Sequence, residues 1–277
     1  MNLDDVTMLL TDWIIGFRAD TLRFLAVTFS VWFILWVLLA PFNKAQKIRP
    51  GSPSVRQMAV ECACSLRSIV FFSTFGLIPY EMAKAGWLPG VQLAESWGTP
   101  WFILSVILIT LGHDTWFYWS HRLIHHPRLF RSFHRRHHKS RDPSPFASFS
   151  FDIGEAVLNA AFVPLWMIIV PTSWGVIGVF FFHMLMRNLL AHAGYQLLPA
   201  GPDGKPLFGW VTTVTHHDMH HEHGGYNFGL YFTFWDRWMG TENPEYLERF
   251  RQAARPWPLA AFRRSAPGPA PVNETEG

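Results

Sequence analysis

Residues 101–138 read WFILSVILITLGHDTWFYWSHRLIHHPRLFRSFHRRHH, and this stretch decides how the rest of the chain is interpreted. The part up to Trp119 is apolar and long enough to cross a bilayer, because about 20 residues at about 1.5 Å each span a hydrocarbon core about 30 Å thick. His121 and His125 follow at once, and on a helix that continues from the apolar part they lie one turn apart on one face. The stretch therefore predicts a spanning helix that ends in a pair of possible metal ligands.

The composition of the whole chain favours lipid as its surroundings. Of the 277 residues, 49% are hydrophobic and 16% are charged, with 14 Trp and 25 Phe. Two further apolar segments of spanning length cover residues 22–40 and 58–79, and two more apolar runs, broken by a proline, cover residues 157–171 and 173–190. We therefore predict an all-α integral membrane protein with about three full spanning helices and a shorter helical hairpin.

The charge pattern predicts how the chain is oriented. The basic residues lie in short runs beside the apolar segments, which membrane topology explains, so nucleic acid is not a predicted partner. The loop between the first two apolar segments carries four basic residues and no acidic one, whereas the segment before the first carries four Asp and one Arg. Because Lys and Arg in loops prefer the cytoplasmic side, we expect a multi-pass protein with its histidine-rich part on the cytoplasmic face.

The domain organisation is expected to be simple. We predict one membrane domain over residues 1–265, with a histidine-rich part at residues 112–241, and a disordered tail over residues 266–277. The tail is polar and rich in proline, so it buries too little surface to fold. Cys62 and Cys64 are too few for a disulfide framework or an iron–sulfur site.

The histidines are clustered: there are fourteen, and none lies before Gly112. Besides the HRLIH pair there are two boxes with the same H-x-x-H-H spacing, HRRHH at residues 134–138 and HDMHH at residues 217–221. On a helix the residues at i, i+3 and i+4 lie near one face, so each box offers three nitrogens to one polar cavity. Neutral imidazole is a good ligand for iron, zinc and copper, and so many nitrogens favour two metal ions over one. The spacing alone nominates His121, His125, His134, His137, His138, His217, His220 and His221.

Taken together and in this order, the three boxes resemble those of the fatty acid hydroxylase/sterol desaturase superfamily. The resemblance runs from DTWFYWSHRLIHHPRLFRSFHRRHH through HAGYQ at residues 192–196 to HHDMHHEHGGYNFGLYFTFWDRWMGT at residues 216–241. These strings are most similar to the sterol C4-methyl oxidase and cholesterol 25-hydroxylase branch. The similar region covers residues 112–241, and its motifs are specific as a set but ambiguous singly.

The resemblance implies nine metal ligands, with His192 completing the eight box histidines. It also implies two iron ions, O2 as co-substrate, and electrons from a separate protein of the ferredoxin, cytochrome b5 or reductase type. The implied reaction is hydroxylation of a sterol-like or fatty acyl membrane lipid, with desaturation by the same site as the alternative. Fatty acid 2-hydroxylases of the superfamily carry a further histidine four residues before the one matching His192. This chain has Asn188 there, so that ligand is missing, replaced by water or supplied by His216.

Carboxylates are expected to support the ligands, because a metal-bound histidine commonly donates its second N–H to one. The candidates near the boxes are Asp114, Asp218, Glu222 and Asp236.

Two other functions stay open on the sequence. A histidine-rich metal transporter would place ionisable ligands along a path within the spans, whereas these boxes follow the spans. A zinc-dependent membrane hydrolase would need an identifiable general base, and the sequence has no H-E-x-x-H string of the zinc-protease type.

Overall fold

The computed structural model describes residues 2–257, so the tail expected over residues 266–277 lies outside the described residues. The described chain is built from eleven α-helices and contains no β-strand, only isolated bridges. The helices are α1 (Leu3–Trp32, continued by a π-helical turn over Phe33–Leu38), α2 (Ala40–Asn43), α3 (Val55–Lys84), α4 (Gly90–Ser96), α5 (Gly98–Ile124), α6 (Pro127–Phe133), α7 (Ile153–Ile169), α8 (Trp174–Ala191), α9 (Val214–His223), α10 (Phe234–Trp238) and α11 (Tyr246–Ala253).

Four helical segments are long and apolar enough to cross a membrane, and they cover Leu3–Leu38, Val55–Lys84, Gly98–Ile124 and Trp174–Ala191. Helix α7 is also apolar but shorter. Large apolar side chains on these helices stay exposed, as lipid contact requires: Leu22 is 64% exposed and Ile107 is 51% exposed. The predicted all-α membrane architecture is confirmed, but α8, which was expected to form a shorter hairpin with α7, is itself long enough to cross, so the candidate spanning segments number four.

The first spanning helix is longer than the hydropathy pattern predicts. It begins at Leu3, well before residue 22, because Asn2 and Asp5 form a capping box. Each side chain accepts the backbone N–H of the other residue at 2.8 Å. Helix α3 likewise continues through Pro79 to Lys84, since neighbouring helices let membrane helices tolerate an internal proline.

Two apolar cores hold the bundle together. Ile109 of α5, Phe162 of α7 and Phe180 of α8 belong to one core. Phe24 of α1 and Ile69 of α3 belong to the other, which α8 and the loop before α7 complete. Helix α8 therefore contributes to both cores, and residues of both line the cavity that lies between them.

Buried polar contacts fix the loops at the histidine end of the bundle. The Ser65 hydroxyl of α3 donates to the carbonyl of Phe146 at 2.7 Å, which ties the loop after the second box to this helix. On α5, the Asp114 carboxylate accepts the backbone N–H groups of Tyr231 at 2.9 Å and Phe232 at 3.2 Å. The segment after the third box is thereby held to the helix that carries the first.

Candidate metal centre

The nine histidines nominated from the sequence converge in two adjacent groups, within each of which the possible ligand atoms all lie within 4.8 Å of one another. The five-histidine group consists of His121, His125, His134, His138 and His220, and the four-histidine group consists of His137, His192, His217 and His221. The two groups adjoin, because the ring centroid of His138 in one lies 6.1 Å from that of His137 and 5.2 Å from that of His221 in the other.

The ends of helices deliver many of the imidazoles. His121 and His125 stand one turn apart at the end of α5. The third box lies on α9, which starts where the Thr213 hydroxyl accepts the N–H of His216 at 3.1 Å. This helix ends at Gly224, whose φ of +60° suits glycine.

Each H-x-x-H-H box serves both groups, and the two boxes do so in opposite ways. The second box gives its i and i+4 members to the five-histidine group and His137, at i+3, to the other. The third box gives its i and i+4 members to the four-histidine group and His220, at i+3, to the five-histidine group. On α9 the reason is helical geometry: i+3 lies about 60° to one side of i and i+4 about 40° to the other side.

Backbone carbonyls fix the protonation of three imidazoles. The Nδ1 atoms of His121, His192 and His220 lie 2.9, 2.7 and 2.7 Å from the carbonyl oxygens of Phe228, Asn188 and Tyr226. A carbonyl only accepts, so each Nδ1 carries the proton and each Nε2 presents a lone pair. Since such contacts are typical of metal-bound histidines, the three rings are oriented as ligands.

The Nε2 atoms are spaced as ligands of a common ion. His121 Nε2 lies 3.0 Å from His134 Nε2, and the Glu155 carboxylate lies 2.8 Å from the Nδ1 of His134. In the four-histidine group the Nε2 atoms of His192, His217 and His221 form a triangle with sides of 3.1–3.3 Å. Two nitrogens held at about 2.0–2.1 Å by one metal ion lie roughly 2.9–3.4 Å apart, so the residues fit a transition metal.

Burial keeps these imidazoles neutral. It lowers the pKa of His138 and of His192 to about 4. Burial first and neighbouring imidazoles second hold the pKa values of His137, His217 and His220 well below the usual range. Neutral lone pairs that face each other repel, and a bound cation removes that repulsion.

The carboxylate predictions were wrong, and the carboxylate that lies against one of the nine histidines is one that sequence reasoning missed. Glu155 of α7, 1% exposed, contacts His134. Its signal in the sequence was a lone acidic residue within an apolar helix.

None of the four nominated carboxylates hydrogen-bonds to any of the nine histidines within residues 2–257. Asp114 holds the backbone of Tyr231 and Phe232, and Asp218 pairs with Arg49 at 2.8 Å. Glu222 pairs with Arg249 at 2.7 Å, and Asp236 accepts the N–H groups of Phe228 and Gly229. Asp114 and Asp236 thus bind the backbone near the site, whereas Asp218 and Glu222 pair with arginine side chains.

His216 and Asn188 occupy the positions that the sequence left open. His216 lies outside both groups, with its ring 5.1 Å from that of Tyr246 and its Nε2 3.7 Å from the carboxylate of Asp236. The Asn188 amide donates to the carbonyl of Met184 at 3.0 Å. His216 therefore does not stand in for the histidine that Asn188 replaces.

An apolar cavity of about 430 Å³ lies between the membrane-crossing helices, beside the histidine groups. Along α8 it is lined from Trp174 to Asn188, about 21 Å of helix. Phe117 and Phe151 separate it from the two groups: their rings lie 5.0 Å from that of His121 and 5.4 Å from that of His137. We call this space the apolar cavity.

A second opening, the basic crater, reaches the histidines through residues that the apolar cavity does not share. His138 and His221 line it, together with Arg49, Arg135, Lys139 and Arg141. Its volume is about 910 Å³. The basic crater thus reaches the two groups directly, whereas Phe117 and Phe151 stand between them and the apolar cavity.

Comparison with known proteins places the histidine region among lipid-modifying enzymes. The family described as fatty acid hydroxylase has a sequence model that matches residues 106–241. Cholesterol 25-hydroxylase of Mus musculus is 30% identical over 74% of this chain and 67% of its own length, and methylsterol monooxygenase 1 of Rattus norvegicus is 26% identical over 73% and 68%. A Delta(7)-sterol 5(6)-desaturase of Gibberella zeae is 27% identical over 58% of this chain, which spans about half, 49%, of that relative. No solved structure matches.

Proposed function

Because this chain belongs to the fatty acid hydroxylase family, we propose that it is a membrane-bound, di-iron, O2-dependent lipid hydroxylase that takes electrons from a separate redox protein. One observation carries the proposal. Nine imidazoles converge in two adjacent groups at one end of an apolar cavity, between helices that can cross a membrane. Such a site suits the oxidation of a substrate that lies in the bilayer.

The nine histidines would hold two iron ions, one in each group. Iron bound there supplies the activation of O2 and the removal of hydrogen from an unactivated C–H bond. The protein's own part is to orient the ligands: the carboxylate of Glu155 holds His134, and the carbonyl of Asn188 holds His192. Phe117 and Phe151 keep water away from the cavity side of both groups.

The substrate is a sterol-like or fatty acyl lipid that reaches the site through the apolar cavity. His113 gives this cavity a polar side chain about 12 Å along α5 from His121, and the hydroxyl of Tyr231 lies 2.9 Å from its Nδ1. A hydroxyl or carbonyl of the lipid that bonds His113 would set which carbon faces the histidines. With His113→Leu we expect oxidation to spread over several carbons, measured by mass spectrometry of the products.

Desaturation is the second candidate outcome. Relatives named as hydroxylases, monooxygenases and desaturases match the same region, so the histidine set is compatible with either reaction. Return of oxygen to the carbon gives an alcohol, and loss of a second hydrogen gives an alkene.

The histidine side is proposed to face the cytoplasm. Lys44 is exposed between α1 and α3, Arg56 is exposed in the first turn of α3, and Arg128, Arg131 and Arg135 are exposed after α5. Positive loops favour that side of the membrane.

The test uses the full chain purified with iron and reconstituted in lipid. We expect about two irons per chain, and an oxidised lipid in extracts of cells that carry the wild type but not His137→Ala. Isotopically labelled O2 should deliver its oxygen to the hydroxylated product. Metal-free protein that still modifies lipid, activity of a zinc form without O2, or O2-insensitive metal uptake by vesicles would each point to another function.

A further inference from the structure

The basic crater combines a cationic rim with a floor made of histidines from both groups. His138 belongs to the five-histidine group and His221 to the four-histidine group, and their ring centroids lie 5.2 Å apart. Nothing that lines the apolar cavity also lines this opening. A molecule seated in the crater therefore approaches both groups without entering the lipid path.

The rim carries a net positive charge that its surroundings leave largely uncompensated. Arg135, Lys139 and Arg141 are exposed, and across residues 2–257 none of them forms an ion pair. Arg49 is neutralised by Asp218 at 2.8 Å. Glu222, the acidic residue in the crater wall, is already paired with Arg249 at 2.7 Å.

We propose that the basic crater is the docking surface for an acidic, one-electron redox protein, and that electrons enter through His138 and His221. This inference rests on the proposed function. A cationic rim attracts an acidic partner and accelerates its association, and rim charges act mainly on that step. Anionic lipid headgroups share the same charge, yet they would gain nothing from a floor of metal-ligating imidazoles.

The electron balance requires two dockings per turnover. Each docking oxidises the carrier by one electron. Two electrons from the carrier and two protons from the solvent reduce one oxygen atom of O2 to water. The other oxygen atom is inserted into a C–H bond of the lipid. The lipid supplies only the two electrons of the C–H bond that is broken.

The test compares two triple variants with the same change of charge. Arg135→Glu/Lys139→Glu/Arg141→Glu reverses the rim, and Lys44→Glu/Arg56→Glu/Arg128→Glu reverses exposed cations outside the crater. The probes are an acidic [2Fe–2S] ferredoxin and a soluble haem protein of the cytochrome b5 type. The dissociation constant is measured for full-length protein in neutral nanodiscs, with and without iron, and anaerobic reduction of the iron is followed with each probe and with dithionite.

We expect the rim variant to weaken binding of at least one probe at least tenfold, to slow reduction by that probe, and to remove its salt dependence. Reduction by dithionite should stay within about twofold of wild type, and the control variant should bind as wild type does. Equal weakening in both variants, or no weakening of either probe in the rim variant, overturns the proposal. So does a rim variant that loses only its affinity for phosphatidylserine vesicles. Iron content and dithionite-supported lipid oxidation by the wild type test the proposed function separately.

Discussion

The five-histidine and four-histidine groups follow the same construction, and they differ at one position. Each takes an i, i+4 pair from one box and the i+3 member from the other. Helix α5 then adds two histidines to the first group, His121 and His125, whereas α8 adds only His192 to the second. Four residues before His192 stands Asn188, which lines the apolar cavity. The group with fewer histidines is thus the one that has the amide of Asn188 near it, on the cavity side, where a further histidine would stand. Catalytic metal sites characteristically keep one position free of protein ligands.

The largest effects should come from removing one imidazole from either group. His220→Ala leaves four histidines in its group, whereas His221→Ala leaves three in the other. We expect both to lower lipid oxidation by at least about 1,000-fold, equivalent to about 4 kcal/mol. Iron per chain, measured by mass spectrometry, should fall to about one in His221→Ala. The fall should be smaller in His220→Ala.

His216→Gln is the control on the same helix, because His216 belongs to neither group. It should keep its iron. Equal iron loss in His220→Ala and His221→Ala would show that the two groups hold metal equally well.

The next largest effect should come from removing a side chain that holds one histidine ring in place. Glu155→Gln replaces the carboxylate that contacts His134, while the matching partner of His192 is a backbone carbonyl that no substitution removes. Losing such a carboxylate typically costs about 10–100-fold in metal affinity or activity, and we expect a loss in that range from the five-histidine group. Titration against a chelator measures it. Glu61→Gln, at another 1% exposed carboxylate that contacts Ser144 instead of a ligand, should not change metal affinity.

Asn188→His tests the difference between the groups directly. A fifth imidazole in the four-histidine group should slow removal of its metal by a chelator about tenfold, which corresponds to about 1.4 kcal/mol. Oxidation should fall, since the new side chain fills the cavity side of this group. Asn159→His also adds a histidine to the cavity lining and should leave chelation unchanged. Faster metal loss in Asn188→His would contradict the role given to this position.

The smallest effect is that of moderate acid, and it should be the same for both groups. Burial lowers the pKa of His138 in one group and of His192 in the other to about 4, below the ordinary value of about 6.5. Because the folded-state pKa is lowered, the neutral, metal-binding form persists as pH falls to about 5. Metal is then lost as pH falls through about 4. Metal affinity measured between pH 8 and pH 5 should change by less than about threefold; a loss centred near pH 6.5 would contradict this.

Much of the fold was predictable because hydropathy and helix length are local properties. Residues 101–119 predicted a spanning helix, and the structure has α5 there. The start of α1 was missed because its capping residues, Asn2 and Asp5, lie in a polar stretch far from the apolar centre of that helix.

The nine converging histidines were predictable, eight from their spacing and His192 from the family resemblance, but their division between two groups was not. Assigning His137 to one group and His138 to the other requires the relative placement of α5, α8 and α9, which sequence spacing does not contain. Asp218 was misjudged for a related reason. It follows His217 directly, so on α9 it points about 100° away and meets Arg49.

The division of the boxes also bears on the order in which the site comes into being during synthesis. About 80 residues separate His138 from His217, and a ribosome adds roughly 5–20 residues per second, so about 4–16 seconds pass between the second box and the third. Four of the five histidines of one group have been made before the third box, but only His137 and His192 of the other. If the groups hold metal as proposed, the five-histidine group would have four of its ligands before the third box is made, whereas the four-histidine group would have two and would depend on α9 for the rest.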